Sequence, residues 1–445
     1  MKITSFHLRS LLLTSFLLLS FSPLRAANLS LGADYLLRGV AVTERDRTIK
    51  SSRYYDQRLQ AYLTTDLSKD VEATVRVQSI TPWGLEGSTT PLVTRYPHAN
   101  GNVWVQNAFA RLPHIWNDRI IVTVGRQPIQ WGDGKILSDD DLGFNAIRAQ
   151  IKSPFRRIPF DLEGFTAKIN EGLNQPGDKD LHGAMLSFDS KSFRWDMMGL
   201  IEKSDGNQLY EMGAETTPVV ASSIERIIYG VRAITRLKDA YLKGEYYLQK
   251  GSVVRLPNAV DIDLGGSAYV VGLGGKQNTA KFGRFGAILE LSVGSGDTGS
   301  TGGEDEAFRP SFASRWSGLE RKGYGRYFAT TFSDAYSPSQ PFAPVTSDND
   351  GLPEGTSGIQ SVHFGMESTP WSQWTFSLDY YQYKAQKNLS GKKELGTEFD
   401  YGFVYRYSGL VSVRGSINVF NPGEAFDEVT RRKAQASNIE LELKF

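Results

Sequence analysis

The chain ends on the sequence SNIELELKF, residues 437–445, and this stretch decides the fold. Its apolar residues Ile439, Leu441, Leu443 and Phe445 alternate with an asparagine, two glutamates and a lysine. Because side chains on a strand alternate between two faces, the stretch predicts a β-strand with one apolar and one charged face. A strand of a soluble sandwich shows the same alternation. A terminal aromatic residue is instead typical of the last strand of an outer-membrane barrel, so the stretch favours a barrel.

The amino terminus has the layout of a secretory signal. Lys2 and Arg9 provide a basic region, the run from Leu11 to Phe21 is mostly apolar, and Ala26 provides a small residue for cleavage. As a membrane anchor, the run is too short to cross about 30 Å of hydrocarbon. We therefore predict a cleaved signal peptide over residues 1–26 and a barrel domain over residues 27–445.

The composition excludes several classes of protein. Removing residues 1–26 from the 445 leaves 419 residues with 47 Lys and Arg against 49 Asp and Glu. Such a near-neutral chain is not a nucleic-acid binder by bulk charge. The absence of cysteine excludes disulfides and thiolate metal sites. No segment after the signal reaches the about 18 consecutive apolar residues of a transmembrane helix.

Alternation of apolar and polar residues extends through the rest of the chain. In VEATVRVQ, residues 71–78, the polar side chains oppose three valines and an alanine. We predict an all-β fold, a single antiparallel transmembrane β-barrel of about 18 strands that extends from about Asn28 to Phe445. If 16 strands close the barrel, the segments Phe160–Asn170 and Tyr269–Gly274 are not strands.

The connections between strands fall into two kinds. Short turns are predicted at Ser190-Lys191, Lys238-Asp239 and Ser408-Gly409. Long polar loops are predicted over Gly84 to Gly101, Ser204 to Glu225, Gly294 to Tyr324 and Asp334 to Gly358. Short periplasmic turns on one rim and long external loops on the other are typical of outer-membrane barrels.

The polar face of each strand is predicted to line the pore and the path of the solute. The predicted pore-lining residues are Arg58, Arg76, Arg111, Arg126, Arg148, Lys152, Arg232, Arg236, Lys243, Glu245, Arg284, Glu290, His363, Glu398, Asp400, Arg406 and Arg414. Further inward acids are Glu72, Glu367, Asp379, Glu440 and Glu442. Cations dominate strands two to ten and acids dominate the last strands, which predicts a basic arc facing an acidic arc and an attraction for anions along the basic side. Alternatively, these charges pair across strands and only hold the wall in shape.

Two motifs have alternative interpretations. In GRQPIQWGD, residues 125–133, Arg126 falls on the same side as Val122 and Val124, and it reaches the pore only if a bulge intervenes. GSGDTG, residues 294–299, lacks the ending of a phosphate-binding loop and is predicted to be a flexible external loop. The acids at 304–306 and at 139–141 are weak candidates for calcium, and no other cofactor is predicted.

Several stretches in order resemble the alginate-export porin family. These are VGRQPIQWGDGKI, FNAIRAQI, GSGDTG, FRPSF and LGTEFDYGFVYRYSGLVSVRGSINVFNPG, which lie within residues 122–423. The resemblance implies an 18-stranded outer-membrane barrel that passes anionic polysaccharide or other small anions. Asn145 stands where the family often has an acid. The resemblance therefore supports the fold more strongly than it supports alginate as the substrate.

The sequence therefore predicts a passive channel for anionic polysaccharide or small organic anions in the outer membrane of a Gram-negative bacterium. The alternatives are a general diffusion porin and a structural or adhesive barrel whose loops bind external partners. Catalysis is not predicted, because it would need a histidine beside a Ser or Asp, and the histidines after the signal are His98, His114, His182 and His363. The expected partners are membrane lipid, an anionic solute and the barrel-assembly machinery, which would read Leu441, Leu443 and Phe445.

Overall fold

A computed structural model describes residues 28–43, 52–83, 103–116, 118–139, 142–153, 159–170, 178–210, 212–214, 219–255, 260–299, 303–314, 316–317, 319–328, 332, 352–353, 355–429 and 431–445. The predicted signal peptide and the predicted loop from Gly84 to Gly101 lie outside these residues. Within the described part of the chain, no helix is long and apolar enough to cross a membrane.

The wall of the molecule is one closed sheet of strands that pair in chain order. The strands are β1 Leu29–Thr43, β2 Ser52–Ser68, β3 Val71–Pro82, β4 Trp104–Ile115, β5 Ile120–Gln127, β6 Phe144–Lys152, β7 Phe160–Asn170, β8 Lys179–Asp189, β9 Phe193–Tyr210, β10 Val219–Arg236, β11 Ala240–Arg255, β12 Ile262–Thr279, β13 Gly283–Gly294, β14 Thr356–Trp371, β15 Trp374–Asn388, β16 Glu394–Arg406, β17 Val411–Pro422 and β18 Ala434–Lys444. All neighbours are antiparallel, and β1 pairs with both β2 and β18. The predicted 18-stranded all-β barrel is confirmed, and both segments that a 16-stranded barrel would have lost are strand.

The wall is apolar outside and charged inside. On β10 and β11, Val231 and Tyr246 are 44% and 52% exposed, whereas Arg232 and Glu245 on the opposite face are 9% and 5% exposed. This is the reverse of a soluble protein, in which large apolar side chains leave water. An exposed apolar belt around a closed barrel suits contact with lipid, because closure leaves no unpaired sheet edge.

The rims differ as the sequence predicts, with one exception. The short connections, such as those at Ser190 and Lys238, share one rim, which we call the turn rim, and the longer ones share the other, the loop rim. The predicted loop from Ser204 to Glu225 is wrong, because β9 continues to Tyr210 and β10 begins at Val219. The sequence alone missed these strand ends because polar residues are frequent there, and one of them, Glu225, pairs with Lys203 on the outer face at 3.3 Å.

Two long connections contact each other and the inner wall instead of projecting away from it. The first inner loop comprises the described residues of the connection 128–143, and the second comprises the described residues of the connection 295–355. Residues 333–351, and with them most of the predicted loop from Asp334 to Gly358, lie outside the described part of the chain. Backbone hydrogen bonds join the two loops: Ser138 N to Phe312 O at 2.7 Å, Phe312 N to Ile136 O at 2.9 Å, and Ser314 N to Gly134 O at 2.7 Å. Apolar side chains of both loops pack with wall residues into a buried core. The hydrophobic core therefore lies inside the barrel.

The prediction of a flexible external loop at GSGDTG is wrong. Asp297 is buried, and it accepts hydrogen bonds from Gly299 N at 3.3 Å and Glu306 N at 3.2 Å. Ser357 Oγ accepts a hydrogen bond from the Asp297 N–H at 3.2 Å, which ties the segment to β14. Glycine-rich composition signals backbone freedom, but it does not say on which side of the wall the backbone packs.

The terminal Phe445 closes the seam between β18 and β1 through its backbone. Its N–H donates to Ala33 O at 2.8 Å, and its carbonyl accepts from Ala33 N at 3.3 Å. Its side chain is 72% exposed. The ring therefore contributes little to the folded barrel, and its role as an assembly signal stays a prediction.

We expect Phe445→Ser to lower the amount of assembled barrel in cells several-fold but to leave refolding in detergent nearly unchanged, because both backbone hydrogen bonds remain. Phe282→Ser is the matched control, since Phe282 is an exposed phenylalanine in the β12–β13 turn at the same rim. Heat-modifiable mobility on gels measures the assembled fraction. Equal assembly of the two variants would contradict the assignment of Phe445 as an assembly signal.

Candidate functional site

The first inner loop is held to the wall by a network of ion pairs. Asp133 contacts Arg232 Nη2 and Lys243 Nζ, each at 3.0 Å. Lys135 contacts Glu290 at 2.5 Å, and Lys243 contacts the other oxygen of Glu290 at 2.7 Å. Burial alone would raise the pKa of the Asp133 carboxyl, but the fields of Lys243 and Arg232 outweigh burial and hold its pKa below its ordinary value.

These contacts change the interpretation of four predicted pore residues. Arg232, Lys243, Glu245 and Glu290 all lie on the inner face and are buried. Arg232 also contacts Asp196 at 3.6 Å and Glu245 at 3.2 Å. The charges on this part of the wall therefore neutralise one another beneath the loop, and no continuous basic arc forms there.

The second inner loop is anchored in the same way at its start. Glu202 on β9 is buried and contacts Arg226 at 2.5 Å and Lys179 at 3.0 Å. Ser311 of the loop donates to Glu202 at 2.7 Å, and Arg226 donates to the carbonyl of Arg309 at 3.0 Å. Sequence reasoning missed Glu202, although strand alternation places it on the inner face, because its partners Lys179 and Arg226 lie on the neighbouring strands and not beside it in the sequence.

The acids at 304–306 do not have the environment of a calcium site. Asp305 is fully buried and accepts hydrogen bonds from Tyr210 Oη at 2.5 Å, Arg309 Nη1 at 2.8 Å and Ala307 N at 2.9 Å. These donors occupy the lone pairs that a hard cation needs, and the guanidinium already supplies the positive charge. No cluster of metal-ligating side chains occurs among the described residues, which do not include Asp140 and Asp141.

The cations on β2 to β6 are less deeply covered. Arg111 contacts Glu72 at 2.6 Å, and Arg148 contacts Glu163 at 2.6 Å, with each side chain partly exposed. The Arg76 guanidinium lies 5.5 Å from the centre of the Tyr62 ring. Arg58 and Lys152 lie on the same inner face by strand parity. This side of the wall therefore presents arginines to the lumen, in part balanced by acids.

Arg126 does not reach the pore. Gly125 before it has a φ of 121°, and Arg126 Nε donates to the carbonyls of Leu142 at 2.9 Å and Gln106 at 3.2 Å. The side chain thus fastens the end of the first inner loop to β4. A backbone partner of this kind leaves no signal in the sequence.

A cavity of about 790 Å³ opens at the turn rim, and we call it the vestibule. Its wall includes five cations, Lys276, Arg326, Arg406, Arg414 and Lys444, and four acids, Glu367, Asp379, Glu440 and Glu442. Arg414 contacts Glu442 at 2.7 Å, and Arg406 donates to Thr375 Oγ1 at 3.1 Å. The predicted cations Arg236 and Arg284 lie on the inner face near the same rim, where Arg236 contacts Asp189 at 2.7 Å.

A smaller cavity of about 160 Å³ lies where the inner loops meet β13 to β15, and we call it the constriction cavity. Lys135, Lys322, Tyr324 and Tyr381 are among its lining residues, and so is His363. His363 Nε2 lies 2.8 Å from Asp379 Oδ1, and its ring stacks on Tyr381 with centroids 4.2 Å apart. Because Asp379 lines the vestibule, this pair joins the two cavities.

The two other described histidines are not near these cavities. His114 lies 2.7 Å from Asp118 beside the exposed β4–β5 turn, and His182 lies 2.9 Å from Thr166 on the outer face. His98 lies outside the described residues. The geometry therefore offers His363 as a pore-lining group.

Comparison with known proteins shows the fold. No family model matches the chain, and no curated sequence matches it significantly. Solved structures similar to it include OccK8 (OprE) of Pseudomonas aeruginosa, with a TM-score of 0.54, 9% identity and coverage of 94% of this chain and 98% of that chain. Another is OccAB4 of Acinetobacter baumannii, with a TM-score of 0.53, 10% identity and coverage of 94% and 98%.

A third similar structure is OpdK, an outer membrane protein of P. aeruginosa, with a TM-score of 0.52, 12% identity and coverage of 94% of this chain and 99% of that chain. OpdK was also solved with vanillate, and that structure has a TM-score of 0.53 and 11% identity. The matches do not support the specific resemblance to alginate-export porins, but they support the barrel that it implied. The chain therefore has the fold of solved outer-membrane β-barrel proteins.

Proposed function

We propose that this chain is a channel in the outer membrane of a Gram-negative bacterium and passes small organic anions by passive diffusion. The observation that carries the proposal is the vestibule, whose lining has five cations against four acids and which opens at one end of a closed barrel. A lining with a net positive charge in a cavity with low-dielectric walls raises the local concentration of anions. The arginines on β2 to β6, two of which are paired with acids, also face the lumen.

The size of the constriction cavity favours small solutes over polysaccharide. Its volume of about 160 Å³ is below the roughly 300 Å³ at which ordinary ligand pockets begin. OpdK, which has a similar fold, was solved with vanillate, an aromatic carboxylate. An anionic polysaccharide remains a second candidate, which would have to thread the barrel in extended form.

Planar-bilayer recordings test the proposal. In a salt gradient the reversal potential of the wild-type channel should show a preference for anions. The anion-to-cation permeability ratio should be larger at low ionic strength, where screening is weaker. Vanillate should block the current more strongly than uronate oligomers, and neutral sugars should have little effect. Absence of conductance would favour a structural or adhesive barrel, and equal permeation of both signs would favour a general diffusion porin.

The double variant Arg76→Ala with Arg148→Ala should lower the anion-to-cation permeability ratio while the barrel still assembles. The double variant removes two cations and leaves the Glu163 carboxylate, which Arg148 contacts at 2.6 Å, without that counter-charge. Lys203→Ala is the control, since Lys203 carries the same charge on the outer face. An unchanged reversal potential in the double variant would leave only selection by size.

A further inference from the structure

We infer that Arg326, on the second inner loop, is a selectivity-determining cation of the channel, and that Glu398 of β16 is the positioning residue that holds it in the vestibule. The inference rests on the proposed channel function and adds to it a loop residue that strand alternation cannot reveal. Arg326 lines the vestibule, although its backbone belongs to the loop.

The loop surrounds the Glu398 carboxylate with consecutive backbone N–H groups. Glu398 Oε1 accepts from Arg326 N at 2.7 Å and from Tyr327 N at 2.6 Å, and Oε2 accepts from Phe328 N at 3.0 Å. Such a concave run of amides binds an anion through several charge-assisted hydrogen bonds. We call this arrangement the latch, and it joins groups 70 to 72 residues apart in the chain.

Gly325 allows the backbone to wrap around the carboxylate. Its φ is 76°, in the left-handed region that glycine adopts without strain. A Cβ at this position would lie 2.3 Å from Glu398 Oε2 and 2.2 Å from Tyr383 Oη. Any other residue would therefore push the loop away from the wall.

The latch is buried. Glu398 is fully buried, its Oε2 also accepts from Tyr383 Oη at 3.2 Å, and the ring of Phe328 packs 4.8 Å from that of Tyr383. Asp400, also buried, accepts a second hydrogen bond from Arg326 N at 3.0 Å. The predicted pore residues Glu398 and Asp400 therefore face inward but contact the loop, and they place Arg326 between themselves and the solute.

The position of the Arg326 side chain follows from this anchoring. Its Nη2 lies beside Gly402, where a Cβ would be 3.7 Å away, on the same side of the vestibule as Arg406 and Arg414. One charge about 10 Å from a permeating ion in water changes the occupancy of that ion by a factor of about two. Arg326 is thus expected to bias selection measurably only while the latch holds it there.

Reversal potentials of the full-length channel in a salt gradient test the inference through the sign of the change. Arg326→Ala should lower the anion-to-cation permeability ratio by a factor of about two. Glu398→Gln should lower it as well and add flickering of the current, because an amide donor replaces one acceptor and releases the loop. Loss of a wall carboxylate alone would raise the ratio instead.

Three further variants separate the alternatives. Glu367→Gln is the matched control, since Glu367 lines the vestibule, is half-exposed and contacts Lys276 at 3.1 Å instead of the loop, and this variant should raise the ratio. Gly325→Ala breaks the latch without changing any charge and should reproduce the effect of Glu398→Gln. Lys281→Ala, in the β12–β13 turn, controls for loss of a cation at the turn rim. The Lys281 ammonium lies 5.7 Å from the centre of the Phe282 ring, and Lys281 is not among the residues that line the vestibule.

Each outcome has a distinct meaning. A wild-type barrel that does not conduct would overturn the proposed function and the inference together. An anion-selective wild type with an unchanged Arg326→Ala variant would overturn the inference alone. A rise in the ratio for Glu398→Gln, or a Gly325→Ala variant with wild-type selectivity and a steady current, would show that the latch does not position Arg326.

Discussion

Glu202→Ala is expected to lower the free energy of unfolding of the barrel by about 3–5 kcal/mol, which is the usual result of removing one partner from a buried ion pair. Glu202 is the only acid within contact of both Lys179 and Arg226 among the described ion pairs, and all three side chains are buried. The variant would leave two buried cations facing one another. Ser311 would also lose its acceptor, so the start of the second inner loop would loosen.

Chemical unfolding in detergent, followed by tryptophan fluorescence, measures this change. Glu225→Ala is the matched control, because Glu225 is the adjacent outward acid that pairs with Lys203 at 3.3 Å, and both are about half-exposed. An exposed pair of this kind is worth about 0–1 kcal/mol. Similar losses for the two variants would mean that the buried network does not stabilise the barrel as its geometry indicates.

Asp133→Ala is expected to raise both the conductance and the preference for anions. The change removes the group that ties the first inner loop to Arg232 and Lys243, so the loop loses two charge-assisted contacts and the constriction widens. The same change removes one negative charge from beside Arg232 and Lys243, which keep their contacts with Glu245 and Glu290. Single-channel recordings measure both effects, and Asp118→Ala, in the exposed β4–β5 turn, is the control for loss of a carboxylate. A conductance equal to that of the wild type would show that Asp133 does not restrain the loop.

The contact of Asp133 also predicts the pH dependence of the wild-type channel. Because its pKa lies below the ordinary value of 3.8, the folded state binds fewer protons at this group than the unfolded state does. The stabilising contribution of the Asp133 ion pairs is therefore complete above pH 3.8. It is lost only as the pH falls through the depressed pKa. The conductance should rise below that ordinary value, and the Asp133→Ala channel should lack this acid step.

The positions of the predicted pore cations show which features of the site the sequence predicts and which it does not. Alternation assigned Arg76, Arg148 and Arg414 to the inner face, where strand register places them. It placed Arg126 with the outward residues unless a bulge intervened, and the structure gives this arginine backbone partners instead. Strand parity therefore predicts direction well, but it does not predict which partner a side chain finds.

The acids also show that the sequence does not predict contact partners. Glu398 was predicted as a wall residue open to the solute, and it is instead covered by the backbone of residues 326–328. Asp133 was part of a recognised motif, but nothing near it in the sequence indicates that its partner Lys243 lies 110 residues away. Such contacts form only when two distant segments are brought together.

By itself the sequence predicted an antiparallel barrel of about 18 strands and the facing of its strands, because alternation has a period of two residues and is read locally. The structure decided between 16 and 18 strands and showed the closure between the first strand and the last. The tertiary structure alone decided that two loops contact the inner wall, that Glu202 and Asp133 hold them, and that Arg326 lines the vestibule. These features depend on matching a charge on one segment to donors on another. The energy of such a match depends on distance and burial in the folded chain, and neither quantity is encoded in a local pattern.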